Sequence, residues 1–268
     1  MRASYSKLKR LKVSPAHVIL EREQTEAMLL GSAFHSYILQ PEKFNAEFRV
    51  FNDEPICKEI GGKMPRATTK YKEWLQTLPT DKTLLKAEKI MYFDIFENKL
   101  QNDKIFSAIM KNAIIEEKII FQYQVTDDIV VECSAVPDIV NLERKIIVDL
   151  KTCQSAETSK FTKDVATLDY HMQAAMYIQA CKQHYGDGDW TFMFLACETN
   201  EPYLYQWFEC ENQLVAMGKS DVEMLLLLWN DCLTNGFDRG YEVFCENKLK
   251  IQKISLPAWK QYEIINFY

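Results

Sequence analysis

The chain has 268 residues, 47% of them hydrophobic, with a formal net charge of −6. That length can bury a substantial core. No run of about 18 apolar residues occurs, the nearest approach being Met224 to Trp229, so a membrane-spanning helix is not expected. The acidic balance excludes nucleic-acid binding through global charge and leaves only local basic patches for that purpose.

Two such patches occur early. Residues 1–20 carry Arg2, Lys7, Lys9, Arg10 and Lys12 with no acid, and residues 60–72 carry Lys63, Arg66, Lys70 and Lys72 with none either. Lys9, Arg10, Lys12, Lys63 and Arg66 are the candidates for phosphate contact; the alternative for each run is a solvated face. Ser14-Pro15 reads as an N-cap followed by Pro at the first helical position. Ala27 to Leu39 has apolar residues on a helical period before Pro41 stops it, and Gly31 and His35 lie on that helix. Residues 81–111 read as one or two amphipathic helices with Leu84, Leu85, Ile90, Met91, Phe93 and Ile95 on the apolar face.

The middle of the chain changes character. Ile114 to Gln124, Ile129 to Val136 and Lys145 to Lys151 are rich in Ile and Val and are separated by turn-like segments. These predict a three-stranded antiparallel meander. A helix from about Tyr170 to His184, strands near Trp190 to Ala196 and Leu204 to Phe208, and a long helix from Glu211 to about Leu233 follow. The order gives an α/β fold, a mixed central sheet flanked by helices with a helical N-terminal region. With no repeat, low-complexity segment or linker, one domain is expected: residues 1–112 mostly helical, 113–210 the catalytic sheet and helix, 211–268 a C-terminal helix and tail.

Eight cysteines are scattered without a C-x-x-C pair, which argues against a zinc ribbon and offers no disulfide framework. A reducing cytoplasm fits best, and the N-terminus lacks an apolar stretch with a cleavage site.

The chemistry concentrates in two short motifs. Pro137-Asp138 closes the second predicted strand and Asp149-Leu150-Lys151 closes the third. Adjacent antiparallel strands can set the two aspartates side by side at one sheet edge, and period-two alternation puts Asp149 and Lys151 on the same face with Leu150 pointing into the core. Two carboxylates suit a Mg²⁺ ion that keeps several waters, and an ammonium beside them can position or deprotonate an attacking water. The alternative reading makes Asp138 and Asp149 turn or surface acids and Lys151 a surface lysine. Tyr170, Gln173 and Tyr177 fall on one face of the following helix.

Taken together, several segments resemble the exonucleases of the RecE (exonuclease VIII) type, in the RecB-like branch of the PD-(D/E)xK nuclease superfamily. They are Tyr5-Ser6-Lys7-Leu8, Ser14-Pro15-Ala16-His17, Leu30-Gly31-Ser32-Ala33-Phe34-His35 and Leu39-Gln40-Pro41-Glu42-Lys43-Phe44. The likeness continues through Glu117, Pro137-Asp138, Ile147 to Thr152, Phe161, Tyr170 to Tyr177 and Leu256-Pro257-Ala258-Trp259, nearly the whole chain.

The resemblance implies that Asp138, Asp149, the backbone carbonyl of Leu150 and His35 hold the metal, and that Lys151 is the catalytic lysine. Glu117 would be the strand acid, with Glu116 adjacent and a one-residue slip exchanging their faces. Gln173 and Tyr177 would brace the site and the substrate phosphate. The alternative for His35 is a hydrogen-bonded core histidine. The chain departs from the family where Ser134-Ala135-Val136 stands in place of a basic residue before Pro-Asp. Cys232 and Cys245 do not make the C-terminal trio that cluster-bearing relatives carry, so no iron–sulfur cluster is expected.

The implied function is Mg²⁺-dependent 5′ to 3′ digestion of linear double-stranded DNA, with Mn²⁺ substituting. It leaves a 3′ single strand for phage-type recombination, with a RecT-type single-strand annealing protein as partner and a ring-shaped homo-oligomer, a tetramer, as assembly. The setting implied is the cytoplasm of a bacterial host, from a phage or prophage. Two alternatives remain: a RecB-clan nuclease acting on single-stranded or flap DNA, and a catalytically silent DNA-binding protein of the same fold.

Overall fold

A computed structural model describes residues 1–21, 23–244 and 254. The first part is helical: α1 (Tyr5–Leu11), α2 (Pro15–Ile19), α3 (Glu26–Leu39) and α4 (Pro41–Glu47). Pro15 and Pro41 open α2 and α4, where a missing N–H leaves no hydrogen bond unmade. The Thr25 side chain caps α3, accepting from the Met28 N–H. β1 (Phe48–Phe51), α5 (Glu54–Ile60), α6 (Thr69–Gln76) and β2 (Thr83–Lys86) come next, and β1 and β2 pair in parallel. α7 (Met91–Gln101) and α8 (Lys104–Met110) close this part, with Asp103 capping α8.

The remainder is β3 (Ile114–Ile115), β4 (Ile119–Gln124), β5 (Val130–Ala135), β6 (Ile139–Asn141), β7 (Ile146–Cys153), α9 (Thr158–Thr167), α10 (Tyr170–Tyr185), β8 (Thr191–Glu198), β9 (Tyr205–Glu209) and α11 (Asn212–Asn235). The central sheet runs β3-β6-β7-β8-β9. β7 and β8 are parallel, joined by the crossover through α9 and α10 that parallel strands require, and the other pairs are antiparallel.

The expected three-stranded meander is not what forms. β4 and β5 make a separate hairpin, in register from Ile119 opposite Ala135 to Gln124 opposite Val130. The partner of β7 is instead β6, three residues too short to show a period in sequence. Leu84 and Leu85 lie on β2, whose partner β1 stands over thirty residues upstream. Met91 opens α7 and is 61% exposed, so it is not on the apolar face.

Alternation along β7 sorts its side chains between two cores. Ile147 packs with Phe192, Phe194, Met172, Met176, Leu226 and Trp229, beneath α10 and α11. Val148 and Leu150 pack on the opposite face with Phe34, Phe93, Phe96 and Leu195, beneath α3 and α7. The sheet is therefore covered on both faces. Among the described residues no helix is long and apolar enough to cross a membrane.

α11 crosses α10 at Gly218, where an added Cβ would stand 2.0 Å from the backbone oxygen of His171. At Gly31 the nearest atom to such a Cβ is the Thr152 hydroxyl oxygen, an ordinary contact at 3.6 Å. Gly218→Ala is expected to lower stability by about 1–3 kcal/mol through overpacking. Gly31→Ala should stay within about 1 kcal/mol of the parent, helped by helix propensity. Urea unfolding midpoints check both, and equal stability of the two variants would contradict the assigned crossing.

Candidate active site

The β6–β7 hairpin places the acids. Ile139 pairs with Val148, so the same register carried one step outward sets Asp138 across from Asp149. The Leu150 N–H donates to Asp138 Oδ2 at 2.7 Å, which fixes the carboxylate against β7. In an extended strand a residue's N–H and C=O leave on the same side, so the Leu150 carbonyl is also aimed toward Asp138.

Asp149 and Lys151 project from one face of β7 toward α10. Gln173 bridges them: its amide nitrogen donates to Asp149 Oδ1 at 2.5 Å and its amide oxygen accepts from Lys151 Nζ at 3.0 Å. Lys151 Nζ also lies 2.6 Å from Asp149 Oδ2 and 4.4 Å from the centroid of the Tyr170 ring, a cation–π contact. Asp149 is 2% exposed, and its Oδ2 has the ion contact but no hydrogen bond of adequate geometry.

Burial pushes the Asp149 carboxyl up to about 6, opposed by the Lys151 charge and reinforced by Asp138. Asp138 goes the other way: burial works against its charge, but His35, Lys151 and the Leu150 N–H together hold it below the usual carboxylate range. Burial pulls Lys151 down, yet Asp149, Tyr170 and Asp138 outweigh it and the ammonium is favoured. His35 is likewise raised, because Asp138 overcomes the effect of burial.

Two further groups reach Asp138 from outside the central strands. His35, on α3, places Nδ1 3.4 Å from Asp138 Oδ2. Glu116 sits just past β3 with φ +48°, its N–H donating to the Asp138 carbonyl at 3.1 Å and its carboxylate 2.7 Å from Lys43 Nζ. His35, Glu116 and Asp138 each present a ligand atom within 4.8 Å of the others. Two carboxylates and one imidazole fit a small divalent cation. The buried Asp149 Oδ2 without an aligned donor adds acceptor capacity nearby.

Residues 4–247 match a family described as a PDDEXK-like domain of unknown function, DUF3799. The chain belongs to that family. No curated protein matches it. A solved structure named "Putative exonuclease", from Eubacterium rectale, superposes with a TM-score of 0.59 and 14% identity, covering 97% of this chain and 92% of that one. At that identity the likeness speaks for the fold, which is the mixed α/β architecture of PDDEXK-like nucleases. The structure of SSO0001 gives a TM-score of 0.32 at 14% identity over 92% of this chain and 98% of that one, too low for a shared fold to be read from it.

In this PDDEXK-like domain, Asp138, Asp149, Lys151, Gln173, Tyr177 and His35 come together, while Glu117 and the basic candidates do not. Glu117 stands apart, its carboxylate accepting from the Tyr185 hydroxyl at 3.1 Å and lying 3.7 Å from His184 Nε2. The left-handed backbone at Glu116 turns the chain between the two acids, so Glu116 and not Glu117 meets Asp138. Tyr177 lies one turn beyond Gln173, edge-on to Phe192 at 6.2 Å between ring centroids, and its phenol is pushed up by burial and then by the Asp149 and Asp138 carboxylates, which places it beside the cluster.

The basic candidates are mostly engaged within the PDDEXK-like domain. Arg10 donates to the Leu20 carbonyl, Lys12 lies 2.6 Å from Asp169 Oδ1, and Lys9 has a partner too. Arg66 grips the buried Asp53 with two hydrogen bonds, at 2.8 and 2.9 Å, and Glu88 with a third; this holds the Asp53 carboxyl well below the usual range. Lys63 has no hydrogen-bond or ion-pair partner among the described residues. The segment Leu256-Pro257-Ala258-Trp259 and Cys245 lie outside the described residues.

Sequence reasoning missed Lys43 and Tyr5. Both fall inside quoted segments, but nothing local shows that Lys43 pairs with Glu116 or that the Tyr5 hydroxyl donates to the Leu168 carbonyl at 2.6 Å, just before α10. Glu116→Gln is expected to weaken Mn²⁺ binding at least about tenfold, since even supporting groups around a metal cost that much. Glu117→Gln should leave it unchanged. Calorimetric titration with Mn²⁺ checks this, and a larger loss in Glu117→Gln would reverse the assignment.

Proposed function

We propose that this chain is a metal-dependent exonuclease of the RecE type that digests linear double-stranded DNA in the 5′ to 3′ direction and leaves a 3′ single strand for recombination. The observation that carries the nuclease reading is the convergence of Asp138, Asp149 and Lys151 at one end of the β6–β7 hairpin, beside the His35–Glu116–Asp138 cluster. Duplex preference and polarity follow from the sequence resemblance. So do a tetrameric ring, a RecT-type annealing partner and a bacterial cytoplasmic setting. The products would be mononucleotides.

Each residue has a chemical part in this reading. His35, Glu116, Asp138 and Asp149, with the Leu150 carbonyl, would hold Mg²⁺, with Mn²⁺ substituting. When bound, such an ion supplies charge stabilisation at the phosphate and acidifies a coordinated water. Lys151, favoured as an ammonium, donates to the attacking water or to a phosphate oxygen, which orients the nucleophile and offsets developing negative charge. Gln173 fixes the rotamers of Asp149 and Lys151 at once. Tyr170 covers the Lys151 charge from one side and limits its wandering.

Duplex DNA labelled at either the 5′ or the 3′ end tests the proposal. Mg²⁺ should release the 5′ label first, as mononucleotide, and excess chelator should stop it. Lys151→Ala and Asp149→Ala should each cut the rate by about 10²–10⁴, the scale of a lost acid–base or charge-stabilising group, with thermal melting still cooperative. Release of the 3′ label first would overturn the polarity, and preferential cutting of single strands or flaps would favour a different substrate class. Full activity of Lys151→Ala would overturn the mechanism.

A further inference from the structure

Building on the nuclease reading, we propose that a cavity next to Lys151 receives one unstacked nucleobase of the strand being cut. The cavity, of about 440 Å³, opens at the end of β7, where Thr152, Cys153 and Gln154 follow Lys151 directly. That size lies within the range of about 300–1,000 Å³ found for small-ligand sites. Tyr170 forms part of the wall, and the same ring carries the Lys151 ammonium at 4.4 Å from its centroid. A phosphate at the reaction centre would therefore have the cavity beside it, within reach of the attached sugar and base.

The chemistry of the walls selects a base over a phosphate. Tyr92, Tyr203, Tyr170 and Phe161 all line the cavity, Tyr170 and Tyr203 being the less buried, and every nucleobase has a π-face to set against such rings. The charged groups include Asp164 and Glu88, both carboxylates, which repel a phosphate and accept hydrogen bonds from an amino group. Glu88 is taken by Arg66 at 2.8 Å, and Lys89 lies 3.6 Å from Glu26. Asp164 has no hydrogen-bond or ion-pair partner for its carboxylate among the described residues. It is the group that would read the amino function of adenine, cytosine or guanine and find none on thymine.

The occupant belongs to a chain. A second groove, of about 730 Å³, shares Glu88 and Met91 with the cavity and continues to Gly61, Gly62 and Lys63. A strand leaving the cavity thus has a path that ends at the unpaired Lys63, whereas a free nucleotide would need no such exit.

The test compares natural DNA with strands carrying a single abasic residue stepped along the cut strand. Wild-type protein should slow about tenfold when the abasic residue occupies the cavity, a loss within the range of base–aromatic stacking. Ala27→Trp, at an exposed residue of α3 on the cavity wall, should slow natural DNA by about the same factor and erase the abasic effect. Asp164→Ala, a second variant that leaves the aromatic walls in place, should remove a preference for cytosine over thymine at the same step. Equal wild-type rates on abasic and natural strands would overturn the proposal, as would an abasic effect that survives in Ala27→Trp of unchanged melting temperature. Cleavage that ignores the base is distinct from no cleavage of any DNA with Mg²⁺ or Mn²⁺, which would overturn the nuclease reading and the pocket with it.

Discussion

Because Ile139 pairs with Val148, Asp138 stands across from Asp149 just beyond the first residue of a strand only three residues long. A shift of the pairing by one residue would turn every side chain of β6 to the other face and break this opposition. Asn141 guards the register from the far end: its side-chain N–H groups donate to the Ile109 and Lys111 carbonyls at 2.8 and 3.0 Å, and its side-chain oxygen accepts from the Arg144 N–H in the turn. A polar residue 1% exposed with three partners in fixed places is costly to move, since any slip would leave these groups unpaired in the interior.

That register forces two carboxylates into a buried volume, and the surroundings separate them. Asp138 receives a backbone N–H and faces an imidazole, so its charge is favoured; Asp149 is buried more deeply and depends on Lys151 and Gln173. Two neighbouring acids driven in opposite directions are typical of sites that hold cations or move protons. The Gln173 amide suits its place because it is neutral and carries both a donor and an acceptor, so it can bind an anion and a cation at once.

The outline of the fold was legible in the sequence wherever the signal was local. Helices near residues 27–39, 170–184 and 211–233 and the β8 and β9 strands follow from periodicity, and the D-x-K spacing alone puts Asp149 and Lys151 on one face. The hidden features depend on distant partners. β6 has too few residues for a period, β1 and β2 pair across two intervening helices, and Leu84-Leu85 looks the same on a helix or a strand until the partner is known. The choice between Glu116 and Glu117 turns on one left-handed residue, a conformation that adjacent glutamates do not advertise. Clusters of basic residues say nothing of the acids that the fold sets against them, which is why Arg66 reads as a free cation until Asp53 and Glu88 are seen beside it.

The helical N-terminal part is as much a component of the site as the sheet is, and Leu150 shows why. Its N–H binds Asp138, its carbonyl is aimed to the same side, and its side chain enters the core that contains Phe34. Phe34 is fully buried, with ring centroids of Tyr92, Phe93 and Phe96 between 5.3 and 5.6 Å away, so the rotation of α3 about its axis is fixed by close packing. His35, the next residue, is turned by about 100° around the helix from Phe34. Once Phe34 is seated, the imidazole has one direction in which to point, past the short end of β6 toward Asp138. One strand residue thus sets the aspartate directly and the histidine through the core, which ties the two halves of the cluster to a single reference.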